Sequence, residues 1–417
     1  MDHLSGRWPK VFVFLAWLFV LGMVFQAILE APWVAWNAAR LIPTFALAHG
    51  ETLYGALNQG PVWVTLYGPI YSLAYLPAVW VGSPEAAVMV ASATGIGFFF
   101  APVFWLLSRR KKQMMPPTTQ LALIGFFLIA TYCEPLRMSA FSVRADSVAL
   151  GLGALACAAI SRDKKIGSAA IWISTICAVL SIWSKQTFAP LLLALPLVVF
   201  WQGGGQVFKR YLIRLVASFV LISGMLFWWF GVPGIVLHMF EIPAKHPWAS
   251  HLTVAGWEWL KIALIFLFGL LVGGIFLNRK DRRWMVWPIV GLLMVPTSLL
   301  GRVKEWGELN SFAPSLYFLA IGVMVVWVQL IESAVFKERA RGFLCWGLVA
   351  SVGFGLVVSA PRLIQLPASV AQRDQSPLSV AYRYAKRFPG TTYFPSAPLS
   401  SLMAEGRFYH FCYGMYD

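Results

Sequence analysis

Long, unbroken apolar runs dominate this chain, and short basic clusters punctuate them. Such runs cannot all be hidden in a soluble core, and they lack the alternation of barrel strands. Each segment must therefore satisfy its own backbone as an α-helix within lipid. Hydrophobic residues make up 59% of the 417 and charged residues only 12%, which excludes an ordinary soluble domain. The predicted fold class is an all-α polytopic membrane protein.

The basic clusters set the topology. They are Arg7/Lys10, Arg109–Lys112, Arg162/Lys164/Lys165, Lys209/Arg210/Arg214, Arg279–Arg283 and Lys337/Arg339/Arg341. Their spacing fits one outward and one inward helix each, so all are assigned to the cytoplasm with the amino terminus. The net charge of +16 then reflects orientation and anionic lipid, not nucleic acid. The apolar run Val11–Leu29 is too long for a signal peptide and ends at Glu30-Ala-Pro-Trp without a small-residue cleavage site, so it is kept as the first span.

Gly68–Val81 falls short of the ~20 residues a crossing needs. Counting it as a span would also put Arg109–Lys112 outside. It is read as a re-entrant or surface helix. The later spans are then Glu85–Leu107, Thr118–Cys133, Ser147–Ile160, Ile166–Trp183, Thr187–Trp201, Tyr211–Phe230, Trp257–Leu277, Trp284–Leu300, Ser315–Ile331 and Gly342–Ala360, about eleven in all. This divides the chain into a transmembrane domain, 1–360, with surface helices in a first outer loop at 30–84, and an outer aromatic-rich segment, 361–417. Tyr382, Tyr384, Phe388, Tyr393, Phe394, Phe408 and Tyr409 suit a small packed cap or a carbohydrate-stacking surface.

The inner loops are short and basic, so any chemistry faces outward. Ionisable groups at a membrane edge are the candidates. Glu30 follows the first span, as a functional carboxylate or as an acid that simply ends a helix. Arg144 and Asp146 open a span from outside, near Glu134 and Arg137. They either share a site or cap the helix as an ion pair. Lys185 sits in an outer turn, against the inward bias of basic residues, and can bind phosphate as a point charge or snorkel to headgroups. Arg302 or Lys304 can share that phosphate, with Glu308 and Asn310 free for hydroxyls. Alternatively, 302–310 is an ordinary polar loop. Arg40, beside Trp33 and Trp36, is either a headgroup contact or a phosphate ligand.

His238, His246 and His251 share an outer loop, but their spacing matches no zinc motif. Of five cysteines, Cys157, Cys177 and Cys345 read as small apolar residues in spans, and a Cys133–Cys412 bridge is left open. No metal is required by the sequence, although a divalent ion is compatible with it.

Gly50-Glu-Thr-Leu-Tyr54, Gly60-Pro-Val and Tyr67-Gly-Pro69, followed by a surface helix, resemble the first-loop pattern of GT-C membrane glycosyltransferases. These include the protein O-mannosyltransferases and the lipid A aminoarabinose transferases. Arg144-Ala-Asp-Ser147 and Lys185-Gln-Thr187 are similar to motifs of bacterial members. The resemblance covers the first ~200 residues by motif and the rest by topology. It implies a polyprenyl-phosphate sugar donor, a glycan, lipid or protein acceptor, and transfer with inversion at the outer face of a bacterial inner membrane.

Members of this class usually carry an acid, often Asp, just after the first span. Here Glu30 stands at that point, without the common Asp-Glu pair, and Asp146 and then Glu51 are the further candidates for the base. Arg144, Lys185 and next Arg302 are the expected phosphate cations, with Tyr54 and Tyr67 positioning phosphate or sugar. The alternative is a transporter or flippase of a lipid-linked saccharide, which would show mid-membrane charges and broken helices in paired positions.

Overall fold

The computed structural model describes residues 7–58, 60–61, 65–108, 115–163, 165–277, 282–332 and 338–410. Arg109–Lys112, Lys164, Arg279 to Asp281, Lys337 and Cys412 lie outside these. The chain is an all-α membrane fold, as the apolar runs require. Seven of the described helical stretches are long and apolar enough to cross a membrane, and a bent pair makes an eighth.

The amino-terminal half follows the expected plan. Helix α1, Arg7–Glu30, is the first span. Two short helices, α2 (Ala35–Ala39) and α3 (Ile42–Ala48), and then α4 (Pro69–Ala74) with a 3-10 turn at Leu76–Trp80, form the first loop. Gly68–Val81 is thus a surface element and does not cross. Helix α5, Pro84–Leu107, starts with the Ser83 hydroxyl accepting from the Ala86 N–H. Helix α6 (Pro117–Tyr132) breaks by 100° into α7 (Glu134–Ala140), because Pro135 cannot continue the helix.

Helices α8 (Ala145–Ser161) and α9 (Ser168–Ser184) are shorter than a full crossing; α8 sits inside the bundle, and α9 packs on it with Trp172, Ile173 and Ile176 exposed on its outer face. In α8 every residue but Leu155 is buried. Its glycines allow this: a Cβ on Gly151 would lie 2.2 Å from the Phe98 carbonyl oxygen of α5.

Two expected spans, Thr187–Trp201 and Tyr211–Phe230, are the arms of one element, α10 (Leu191–Phe230). Gly204, at φ 72°, turns the chain between them, a conformation open to glycine. The arms return to the same end. The Gln186 side chain, just before α10, donates to the Met239 carbonyl just after it, at 3.1 Å. Among the described residues, seven or eight helices are long and apolar enough to cross, against the eleven expected; the difference lies in the arms of α10, which form one element, and in α8 and α9, at 17 residues each.

Small helices α11 (Val232–Val236) and α12 (Ile242–Lys245) precede α13, Leu252–Phe276. The next span is broken at Met294 into α14 (Val286–Leu293) and α15 (Val295–Val303), since Pro296 removes a helical donor. Helix α16, Ala313–Glu332, is the buried centre of the bundle, and α17, Glu338–Ile364, lies at its edge.

The tail then forms α18 (Leu366–Ala371), α19 (Pro377–Arg387) and α20 (Pro398–Glu405). Leu378, Leu399 and Leu402 pack into one core with Ala38, Ala39, Leu41 and Val88. The tail is a cap seated on the first loop. Exposed apolar side chains such as Phe14, Leu221, Ile265 and Phe354 cover the flanks of the bundle, as lipid contact demands.

The two ends of the bundle differ in chemistry. At one, Arg162 donates to the Ser108 carbonyl at 2.8 Å, Arg283 donates to the Arg162 carbonyl at 3.2 Å, and Arg214 donates to the Ser168 carbonyl at 2.8 Å. Short basic loops close that end. The other end gathers the first loop, α7, the 185–188 turn, α11 and α12, the 303–312 loop and the tail cap.

Candidate active site

The site is built by loops that hold one another at this second end. In the first loop, a Cβ on Gly68 would meet the Trp183 carbonyl oxygen at 1.7 Å, so the chain passes against the end of α9 only because residue 68 has no side chain. Tyr54 donates to the Tyr67 carbonyl at 2.8 Å, and Gln186 donates to the Leu66 carbonyl at 2.9 Å. These bonds fix Tyr67 beneath Lys185, whose ammonium lies 5.5 Å from the ring centroid.

Asn37 locks α2 against the start of α8. Its amide donates to the Ala31 carbonyl at 3.0 Å, and its carbonyl accepts from the Val143 N–H at 2.9 Å. Three residues on, Arg40 is carried in beside Arg144. Tyr75 donates to the Arg144 carbonyl at 2.8 Å and bonds the Ser147 hydroxyl at 3.0 Å, holding the α8 terminus.

Around these lies a cavity of about 380 Å³, lined among others by Arg40, Tyr67, Arg144, Lys185, Lys304, Trp306, Glu308 and Asn310. Lys185 Nζ is 2.8 Å from Asp146 Oδ1, and Asn310 Nδ2 donates to Asp146 Oδ2 at 3.2 Å. Asp146 is 1% exposed, beneath the wall. Arg144 Nη2 is 2.6 Å from Glu308 Oε2. Arg40 stacks on Trp36 at 5.2 Å. Its guanidinium is pushed down to about 10 by burial and then by Arg144, although Tyr67, Glu308 and Asp146 pull the other way.

Two donors in this group, Arg40 Nη1 and Arg144 Nε, are buried without a hydrogen-bond partner among the described residues. Among the described residues, four cations, Arg40, Arg144, Lys185 and Lys304, meet three carboxylates, Asp146, Glu305 and Glu308, so one positive charge is left over. The arrangement is equipped to take an anion.

The 303–308 loop is tightly folded. Trp306 has φ 63°, a left-handed conformation rare for a large side chain. A Cβ on Gly307 would lie 2.4 Å from the Gly301 carbonyl oxygen. Glu305 N–H donates to the Pro247 carbonyl at 2.9 Å, and Ala249 N–H to the Val303 carbonyl at 2.8 Å, tying this loop to the stretch after α12.

Four expected residues, Glu30, Arg302, Tyr54 and Glu51, do not line the cavity. Glu30 is exposed at the end of α1, accepting from Gln26 at 2.8 Å and Ser369 at 3.4 Å. Arg302 forms a two-point pair with Glu258, at 3.0 and 3.4 Å, and donates to the Gly307 carbonyl at 2.8 Å. It braces the loop, and its neighbour Lys304 lines the cavity instead, donating to the His246 carbonyl at 2.8 Å. Tyr54 is buried behind the wall, against His238 at 5.6 Å. Glu51 is exposed.

Arg40, Tyr67, Arg144, Lys185, Glu308 and Asn310 do come together, over Asp146. Asn37, Tyr75 and Gln186 position them; Gln186 lies in the Lys185-Gln-Thr187 motif, whereas no sequence signal marked out Asn37 and Tyr75 beyond lone polar groups in apolar stretches. Among the described residues, no three His, Cys, Asp or Glu side chains are grouped to hold a metal ion.

No protein-family model matches the chain, and no curated protein sequence matches it. Solved structures do. ArnT from Cupriavidus metallidurans, in a crystal structure bound to undecaprenyl phosphate, superposes with a TM-score of 0.60 at 13% identity, covering 95% of this chain and 85% of that one. Its apo form gives a TM-score of 0.60 at 13% identity, with 92% and 83% covered.

The chain has the ArnT fold. The likeness runs through nearly all of the molecule, from α1 to the tail cap. The polytopic all-helical architecture expected from the sequence is therefore the observed one.

Proposed function

We propose that this chain is a GT-C membrane glycosyltransferase. It takes a sugar from a polyprenyl-phosphate donor and passes it, with inversion, to an acceptor at the outer face of a bacterial inner membrane. The carrying observation is the convergence of Arg40, Arg144 and Lys185, from three separate segments, on one cavity. That cavity lies at the end of the bundle opposite the basic loops, which by the positive-inside rule is the outer end.

The single surplus positive charge suits a phosphodiester monoanion. When the sugar leaves, the phosphate gains a second negative charge, and preplaced cations stabilise it as it forms. Asp146 holds Lys185 in place and Tyr67 shapes the floor beneath it. The undecaprenyl phosphate bound by ArnT is a ligand of the same chemistry in the same fold. The transporter reading lacks comparable support, because this charge cluster sits at the ends of α8, α9 and α16 and not at their middles.

The test is turnover by the purified full chain in detergent, with undecaprenyl-phosphate-linked glucose, mannose and arabinose as donors, read as release of undecaprenyl phosphate. Wild type is expected to consume at least one of them. Lys185→Met and Arg144→Ala are each expected to lose about 100-fold or more, the scale for removing one charge-stabilising donor. No consumption of any of the three by wild type would overturn the reading.

A further inference from the structure

The proposed transfer needs a carboxylate to accept the proton of the acceptor hydroxyl, and Glu30 lies away from the cavity. Asp146 is buried with both oxygens engaged, one by Lys185 and one by Asn310. Glu308 differs from both. It lines the cavity, its side chain is 42% exposed, and the partner recorded for its carboxylate is Arg144. The tight backbone at Trp306 and Gly307 aims it there.

Arg144 has capacity that Glu308 leaves unused. Nε and Nη2 share one edge of the guanidinium. Glu308 occupies Nη2, while Nε is buried without a partner among the described residues. A phosphate with two oxygens toward that edge engages both donors, the two-point geometry that makes arginine a strong phosphate ligand.

We infer that Glu308 is the general base of the transfer and that Arg144 holds it idle until the donor phosphate displaces it from the guanidinium. The inference rests on the glycosyltransferase reading above. In the empty site the carboxylate is held by the Arg144 guanidinium and is not free to meet an acceptor hydroxyl. When the phosphodiester takes the Nε/Nη2 edge, Glu308 is released into the cavity as a free carboxylate beside the anomeric carbon. Base activation is thereby coupled to donor binding.

The step balances. The acceptor oxygen forms its bond to the anomeric carbon while its proton moves to Glu308. The bond between the anomeric carbon and the phosphate oxygen breaks, and its electron pair leaves with the phosphate. A phosphodiester of charge −1 and a carboxylate of charge −1 become a phosphomonoester of charge −2 and a neutral carboxylic acid. The monoester stays among Arg40, Arg144 and Lys185. Glu308, at the open side of the cavity, returns its proton to water.

The experiment measures binding of undecaprenyl phosphate to the purified full chain, together with donor turnover, in wild type, Glu308→Gln, Glu308→Asp and Arg144→Gln, each first checked for a monodisperse fold. A base that also competes for Arg144 gives an unusual pair of results. Glu308→Gln is expected to bind undecaprenyl phosphate several-fold more tightly than wild type, yet to lose turnover by about 100-fold or more, the usual weight of a general base. Glu308→Asp should recover part of the turnover, and Arg144→Gln should bind at least 10-fold more weakly. Unchanged or weaker binding in Glu308→Gln, or turnover within a few-fold of wild type, would overturn the inference and leave the glycosyltransferase reading standing. A wild type that binds no undecaprenyl phosphate would remove that reading itself, and this inference with it.

Discussion

Lys185 and Asp146 come from different helices and meet at 2.8 Å, both nearly excluded from water. A buried pair of this kind is costly to break one partner at a time. Asp146→Asn leaves the Lys185 ammonium uncompensated and is expected to destabilise the fold by about 3–5 kcal/mol. Asp146→Asn combined with Lys185→Met should recover most of that stability without recovering donor turnover. Thermal unfolding in detergent, set beside the turnover assay, checks both halves. Arg40 carries a pH prediction. It is a cation below about 10, and bound phosphate raises that value by favouring the charged form. Undecaprenyl phosphate affinity should therefore be full up to pH 9 and fall as pH rises through 10. Arg40→Gln should bind more weakly throughout and lose that fall. Lys185 was legible as a basic residue against the expected inward bias, and Arg144 as half of an Arg-x-Asp pair at the start of a helix. That Glu30 and Arg302 fall at the ends of apolar segments was legible too, but not where their side chains turn. Gln26, one turn back, and Ser369 claim the first, and Glu258 claims the second.

Short elements between the spans build the site, and glycine decides how closely they pack. Gly68 sits in the Tyr-Gly-Pro motif, and its missing side chain lets the first loop pass the end of α9. Gly68→Ala has no room to be accommodated against backbone. It should cost about 1–3 kcal/mol, as overpacking does, and lower turnover by moving Tyr67 off Lys185. Thermal unfolding and turnover measured on the same preparation separate the two effects. The surface nature of Gly68–Val81 could be read from its length and from the charge that follows α5. The α10 hairpin could be read as two apolar runs around a Gly-Gly-Gly turn. The Asn37 bridge to Val143 could not, because it joins positions distant in sequence through a single polar side chain in an amphipathic stretch. The same holds for Gln186, whose amide links the first loop to the residues after α10.

For the molecule as a whole, the two ends of the bundle have opposite roles. The all-helical, membrane-spanning architecture followed from apolar length and charge alone, but the number of crossings did not. The convergence of cations at the far end needed the three-dimensional path. Sidedness is directly testable with single cysteines in a background freed of the native ones. A cysteine at Asp374, in the exposed tail cap, should react with a membrane-impermeant maleimide on intact spheroplasts, and one at Arg210 only after permeabilisation. The reverse pattern would invert the molecule and place the cavity inside.

The most direct measurement is photo-crosslinking of the full chain with an undecaprenyl phosphate that carries a diazirine on its first isoprene unit, followed by peptide mapping. Adducts are expected on Thr65–Tyr71, on Gln186–Thr187 or within 297–311, which surround Arg40, Arg144 and Lys185. Adducts concentrated at the other end of the bundle, around Ser108, Arg162 and Arg283, would contradict the account.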